Sequence, residues 1–204
     1  MKKLGKSLLV VTLVFCAVWL GMRLADKQRL HNDLIRLHVV ADSDSEEDQK
    51  VKLQVRDAVI ATLHENMCAA ADAEQAREYI SAHLPEIESA ANEALAAAGS
   101  TDTASVTLRY EAFPTREYET FSLPAGVYES LRVEIGDAEG KNWWCVVFPT
   151  LCIPAASEDY RDTAASAGFP QSLSDTLAGE ENYQIDFFFL ECIGKIENFL
   201  FNAF

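Results

Sequence analysis

The chain has 204 residues, 49% hydrophobic and 24% charged, which is typical of a globular protein, but its net charge is −15. Residues 1–30 hold six Lys/Arg against one acid, so residues 31–204 carry a balance of −20. Such an acidic body makes nucleic acid a poor partner, because binding needs Lys and Arg to displace counterions from phosphates. Anionic membrane surfaces should repel this body as well.

The first thirty residues predict an export segment. Lysines precede a 15-residue apolar run over residues 8–22, and basic residues follow it. A positive head before such a run is the layout of a secretory signal, and a membrane span needs about 20 residues. No small-x-small cleavage site is evident, because a cut after Ala25 would put Arg23 at the minus-three position. Residues 1–25 are therefore predicted to be a cleaved signal peptide or, through residues 7–22, a membrane anchor.

The body begins with a predicted strand and helix. Residues 34–40 alternate apolar and polar side chains, as a strand does. The acidic residues 42–48 follow, and they lack the glycine and the final carboxylate of an EF-hand loop. A capping box that starts a helix over residues 46–67 is the preferred interpretation. The candidate capping pairs are Ser43 with Glu46 and Ser45 with Asp48.

The remaining elements follow from periodicity and turn residues. They are helices over residues 71–84 and 85–98, strands over 105–111, 117–123, 128–136 and 143–148, and a final strand over 183–189 with a helix over 191–201. The loop over residues 137–141 predicts that the strands before and after it form a hairpin. Residues 154–181 are polar, and a stretch of that length is a linker, a disordered segment or a functional loop.

The stretch from Asn142 to Cys152 is the most aromatic part of the body. Its alternation sets Trp144, Val146 and Phe148 on one face of a strand and Trp143, Cys145 and Val147 on the other. A strand with two apolar faces is usually central and covered twice; otherwise its second face is an exposed patch that marks a partner site. Trp143 and Trp144, with the neighbouring Asn142, are the candidate partner-binding residues. The aromatic run Phe187 to Phe189 is a second candidate, with core burial as the preferred interpretation.

An enzyme needs a constellation of reactive groups, and the only candidate pair is His38 with Cys145. A histidine on the polar side of the first strand is placed to meet Cys145 across the sheet as a thiol–imidazole pair. A satisfied strand histidine beside a structural cysteine is the preferred alternative. Cys145 and Cys152 lack metal-pair spacing, and no Gly-rich phosphate loop occurs, so no catalytic residue, cofactor or metal is predicted.

Two blocks of the sequence resemble one family. Residues 34–44 (LIRLHVVADSD) with residues 48–59, and then Pro124 to Tyr128, Leu131 to Val133, Ile135-Gly136 and Asn142 to Cys152, are similar to two ordered blocks of the stage II sporulation protein R family. The likeness spans about residues 30–152 and includes the export segment. One departure is Tyr118-Glu119, which stands where the family has a Tyr-Gly pair before the proline.

The resemblance implies an exported signal and not a catalyst. Members are made in the forespore and exported to the space between the two septal membranes. There they activate a membrane-embedded aspartic protease, which processes the precursor of a mother-cell sigma factor. On this interpretation the partner is that protease, no cofactor is needed, and the chain meets the membrane only through its N-terminal segment. A secreted thiol-dependent hydrolase using Cys145 is the alternative function.

Export also favours disulfides, because thiols outside the cytosol tend to oxidise. Setting Cys16 aside in the apolar segment leaves four cysteines, which allow three pairings. We expect Cys145 to pair with Cys152, because this closes a small local loop and contributes about 2–3 kcal/mol.

The predicted fold is α+β: a mostly antiparallel sheet of four to six strands with two or three helices packed on one face. The predicted division is residues 1–25 as signal or anchor, 31–152 as the family-like domain, 153–181 as an acidic linker, and 182–204 as a strand and helix completing the domain.

Overall fold

The computed structural model describes residues 2–67, 70, 72–117, 121–148 and 184–203. The helices are α1 (Lys2–Asp33), α2 (Glu46–Met67), α3 (Ala73–Ala97) and α4 (Gln184–Ala203). The strands are β1 (Ile35–Val40), β2 (Ala104–Phe113), β3 (Arg116–Glu117), β4 (Ser122–Leu123), β5 (Gly126–Ile135) and β6 (Asn142–Phe148). Four strands form one sheet in the order β2-β5-β1-β6, and β3 pairs with β4.

The sheet is mixed, and two of its three pairings are antiparallel. β5 pairs antiparallel with β2 and parallel with β1, while β1 pairs antiparallel with β6. The predicted α+β class is confirmed. The predicted hairpin between the strands now called β5 and β6 is wrong, because β1 lies between them. β6 is consequently an edge strand of this sheet and not a central one.

The loop between β5 and β6 crosses the end of β1. The backbone N–H groups of Glu139 and Gly140 donate to the carbonyls of Asp42 and Ala41 at 3.0 and 2.9 Å. At Gly140 the backbone passes so close to the carbonyl of Ser43 that a Cβ would not fit. These bonds fix the loop across the end of β1, so that β5 and β6 lie on either side of that strand.

One side of the sheet, which we call the apolar face, carries the larger core. The residues Ile35, Leu37 and Val39 of β1 point to this side and are fully buried. The helices α2 and α3 cover it. The predicted stripe of α2 is confirmed, since Val51, Val55, Val59 and Leu63 are all buried in this core. Burial of this larger core stabilises the fold at about 25 cal/mol per Å² of apolar surface.

The other side, the mixed face, carries aromatic and charged side chains together. Arg36 and His38 of β1 point to it and are buried. The end of α1 contributes Leu30, the residue Leu34 follows α1 directly, and α4 contributes Leu190. Both cover this face, which adds helices on the side opposite to α2 and α3.

Four further details differ from the sequence-based expectations. The predicted strand over residues 183–189 is wrong, because α4 is helical from Gln184. The two helical pieces are one helix, α3, which contains Pro85 at an exposed position. The weak strand over residues 117–123 is the pair β3 and β4. Phe148 joins the core of the apolar face, because an irregularity in the pairing of β1 with β6 shifts its side.

Candidate partner-binding site on the edge strand

The two tryptophans of β6 lie on opposite sides of the sheet. Trp143 is paired with Val39 in the register and lies on the apolar face, where it is 36% exposed. The guanidinium carbon of Arg56, from α2, lies 4.3 Å from the centre of its ring. This cation–π contact orients the indole at the rim of the helical layer without covering it. Trp143 is thus the more exposed of the two predicted anchors.

Trp144 is held inside an aromatic group on the mixed face. Its ring stacks on His38 with centroids 3.8 Å apart and planes at 18°. The ring of Phe113 meets it edge-on at 4.7 Å. The Arg116 guanidinium carbon lies 5.5 Å from its centre. These three neighbours hold the ring in one rotamer. Trp144 is half-buried, and only part of its ring reaches solvent.

A hydrogen-bonded group of charged residues fixes His38. Its Nε2 lies 2.6 Å from Oδ1 of Asn142, and its Nδ1 lies 3.2 Å from Oε2 of Glu111. Arg132 donates from one guanidinium nitrogen to Oε1 of Glu111 at 2.7 Å, and from Nε to Glu134 at 2.8 Å. Asn142, the third predicted partner-binding residue, is exposed, but its side-chain oxygen is already bonded to His38.

The carboxyl of Glu111 is strongly perturbed by this group. Burial alone would raise its pKa, but the hydrogen bonds and charges of His38 and Arg132 outweigh burial and lower the pKa from 4.5 to about 2. The carboxylate accepts from two arginines, Arg132 at 2.7 Å and Arg109 at 3.2 Å, and therefore stays ionised at every physiological pH. The group is thus a fixed buried ion network that supports Trp144.

Arg36 packs beneath the aromatic rings of the mixed face, next to the sheet. It is fully buried, with its guanidinium carbon 4.0 Å from the centre of the Phe113 ring and 5.1 Å from that of Tyr128. Phe113 in turn contacts Trp144. A continuous path of packed side chains therefore leads from the sheet interior to the surface of β6.

The mixed face also holds a cleft of about 400 Å³. It lies beside His38, Glu111, Arg132 and Trp144, and Phe201 of α4 forms part of its wall. A histidine next to a carboxylate suits acid–base chemistry, but Cys145 lies on the opposite face of the sheet, against the apolar core. The candidate thiol–imidazole pair of His38 with Cys145 is therefore not formed, and the alternative function as a thiol-dependent hydrolase lacks its catalytic pair.

The cysteines bear on the same question. Among the residues described, Cys16 and Cys192 are free, and Cys145 is not one of the free thiols. Cys152 lies outside the described residues, as does the acidic stretch 154–181. The pairing of Cys145 with Cys152 stays a prediction.

The acidic residues after β1 act as caps and loop anchors. Ser45 Oγ accepts from the N–H of Asp48 at 3.1 Å and donates to its carboxylate at 2.7 Å, so the second candidate capping pair is confirmed. Asp42 and Asp44 accept from the N–H groups of Asp137 and Lys141, both at 2.7 Å. These carboxylates are thus committed to the loop that crosses β1.

Sequence reasoning found the strand of this site but missed most of its support. Glu111, Arg132 and Arg56 received no role, because each lies 73 residues or more along the chain from the β1 or β6 residue that it contacts. The available signal was weak: charged residues at alternate positions of three predicted strands. Only the strand order shows that those positions converge.

Comparison with known proteins identifies relatives of this chain. Residues 31–158 match the family model described as stage II sporulation protein R. The curated stage II sporulation protein R of Bacillus subtilis (strain 168) is 40% identical over 118 residues. That alignment covers 58% of this chain and 53% of the relative, so the chain spans about half the length of the relative it matches. No solved structure gives a significant match.

Proposed function

Because the chain belongs to the stage II sporulation protein R family and so has a role in sporulation, we propose that it is an exported signal between the two compartments of a sporulating cell. In this proposal it activates a membrane-embedded aspartic protease, which then processes the precursor of a mother-cell sigma factor. The observation that carries the proposal is the family match over residues 31–158. The protein acts as a ligand and not as a catalyst.

The N-terminal helix supports export, and its packing favours a retained anchor over a cleaved signal. Among the described residues, one helix is long and apolar enough to cross a membrane, over Leu9–Asp33. Beyond the apolar run the same helix packs on the body: Leu30 is fully buried, and His31 stacks on Tyr128 with centroids 5.3 Å apart. Cleavage after Ala25 would cut a helix that is continuous from Lys2 to Asp33. The proposed location is the space between forespore and mother cell, with α1 holding the protein at the membrane.

The proposed contact with the protease centres on Trp143. Aromatic side chains held in one rotamer are the residue type that dominates interface energies. Trp143 is exposed, is oriented by Arg56, and lies on a strand that pairs only with β1 within the described part of the sheet. An edge strand of this kind also offers backbone hydrogen bonds to a partner. Trp144 has the supporting role, since His38 and Phe113 already engage both its face and its edge.

The test uses an endospore-forming host that carries this protein. Deletion should block processing of the sigma-factor precursor, and the wild-type chain should restore it. We expect Trp143→Ala to be folded and exported at the wild-type level but to leave the precursor unprocessed. Precursor and product are followed by immunoblot during sporulation, and the exported chain is quantified in the same samples.

Tyr110→Ala is the matched control. Tyr110 is an aromatic residue, 55% exposed, on β2 at the opposite edge of the sheet, so its truncation removes similar surface elsewhere. It should restore processing fully. Normal processing in the deletion strain would defeat the proposed function. Processing at wild-type dose by Trp143→Ala would leave the function intact and place the contact surface elsewhere.

A further inference from the structure

The C-terminal helix α4 carries an apolar stripe that the body does not cover. Phe188, Cys192, Ile196 and Phe199 follow one another at helical spacing, with Leu200 at the margin. Phe188 and Ile196 are each 62% exposed, and Phe199 is 73% exposed. A side chain of this kind loses about 1.5–3 kcal/mol when it is left in water and not buried, so an uncovered row of them indicates a binding surface.

The helices α1 and α4 run side by side in the same direction. The rings of Trp19 and Phe189 meet edge-on with centroids 4.7 Å apart. Eight residues further along both helices, Lys27 Nζ lies 2.8 Å from Glu197 Oε2. The two contacts are separated by the same number of residues on both helices. Each residue of α4 therefore lies level, along the common helix direction, with the α1 residue whose number is 170 lower. Phe188 is then beside the apolar part of α1, within about 6 Å of its end at Met22.

The helix α1 as a whole is long enough to cross a bilayer, but its uninterrupted apolar run is shorter than the hydrocarbon layer. Fifteen residues rise about 22 Å, against a hydrocarbon thickness of about 30 Å. Two of the three basic residues that follow are turned inward: Arg23 is bonded to Asp26 at 3.0 Å, with both side chains largely buried, and Lys27 is bonded to Glu197. At the same heights α4 presents Cys192 and Ile196. The stripe therefore supplies apolar surface just where α1 becomes polar.

From this alignment we propose that the exposed stripe of α4 lies in the outer leaflet and headgroup layer of the phospholipid bilayer that α1 enters. The inference rests on α1 being kept as the anchor, as in the proposed function. Phe188 then lies in the hydrocarbon layer beside the apolar run of α1, and Ile196, eight residues further along α4, lies nearer the headgroups. Lys195, which borders the stripe and is bonded to Glu191 at 2.8 Å, extends its charged end toward the headgroups. The protein is attached by two helices and is held in one orientation above the membrane.

Photo-crosslinking of the full chain in phosphatidylcholine nanodiscs tests this contact. Benzoylphenylalanine replaces Phe188 or Ile196, one position at a time, and the nanodisc scaffold is the only other protein in the sample. Leu13, exposed in the apolar run of α1, is the reference for lipid contact. Glu93, exposed on α3 at the other face of the sheet, is the matched negative position. After irradiation, intact-mass spectrometry reports adducts.

We expect a mass increase of one phospholipid at Leu13, Phe188 and Ile196, and none at Glu93. Absence of lipid adducts at both α4 positions would overturn the proposal, as would adducts to a second copy of the chain in their place. The nanodiscs contain no protease, so the crosslinking result does not depend on the sporulation assay. The membrane contact of α4 is tested by the lipid adducts, and the proposed function is tested by processing of the sigma-factor precursor.

Discussion

The two faces of the sheet are built from the same strands but differ in chemistry. On the apolar face every buried residue of β1 is aliphatic, and two helices cover it with a regular stripe. On the mixed face the alternate residues of β1 are Arg36 and His38, and their partners are aromatic rings, Glu111 and Arg132. The interior of the first face contributes stability, and the proposed anchor Trp143 lies at its rim. The second face buries polar groups among its aromatic rings. Buried polar networks of this kind fix the positions of side chains more than they add to the free energy of unfolding.

The apolar face should show the largest loss of stability on truncation. Leu131 of β5 is fully buried in its core. We expect Leu131→Ala to lower the free energy of unfolding by about 2–5 kcal/mol, because it removes transfer energy and leaves a cavity. Urea denaturation of the full chain in micelles, followed by circular dichroism, measures this loss.

Leu108→Ala is the control for that truncation. Leu108 packs against the same core but is only partly buried. Its loss should be clearly smaller, since the site is open to water and leaves less of a cavity. Equal losses at the two positions would mean that burial does not set the stability of this face.

The mixed face should show its contribution as a dependence on pH. Glu111 has a pKa near 2 in the folded protein, against 4.5 ordinarily, because the bonds and charges of His38 and Arg132 outweigh the effect of burial. A depressed carboxyl pKa stabilises the fold above pH 4.5, and this stability is lost as the pH falls from about 4.5 toward 2. Its full size is roughly 3 kcal/mol. Glu111→Gln should therefore be less stable than wild type at pH 6, and this difference should shrink at lower pH.

The matched variant for the pH series is Glu93→Gln, at an exposed position of α3. It should differ from wild type by less than about 0.5 kcal/mol across the series. A Glu111→Gln difference that stays constant between pH 6 and pH 2.5 would contradict the ion network and assign the loss to packing.

The contrast between the faces also explains how much of the fold the sequence predicts. The helix Glu46–Met67, the strand at residues 35–40 and the capping pair of Ser45 with Asp48 depend on local periodicity and local bonds, and these predictions hold. The hairpin fails because turn residues specify a loop but not what lies between its arms. The insertion of β1 is decided by its pairings with β5 and β6, 94 and more residues away.

The C-terminal error has a different cause. Phe187 to Phe189 favours a strand when considered alone, because aromatic side chains fit a pleated surface. In the structure the buried positions of α4 include Leu190 and Gly194, four residues apart, so helical packing against the body overrides local propensity. Gly194 is close to the backbone of Ala125 and leaves no room for a side chain. A contact of this kind is invisible before the fold is known.

The smallest expected effect lies where the apolar face ends, at Arg56 and Trp143. The guanidinium lies 4.3 Å from the ring centre at the surface, where such a contact is worth about 0.5–1 kcal/mol. A double-mutant cycle with Arg56→Ala and Trp143→Ala should return a coupling of that size in the free energy of unfolding.

Asp57→Ala is the control for the neighbouring ion pair. It removes the carboxylate that accepts from Arg56 but keeps both members of the cation–π contact, and it should lower the free energy of unfolding by less than about 0.5 kcal/mol. A coupling near zero would mean that Arg56 does not orient Trp143 and that this anchor is free to turn until a partner binds. A coupling in the expected range would mean that the rim of the stable face already holds the indole in place, so that the partner meets an ordered side chain.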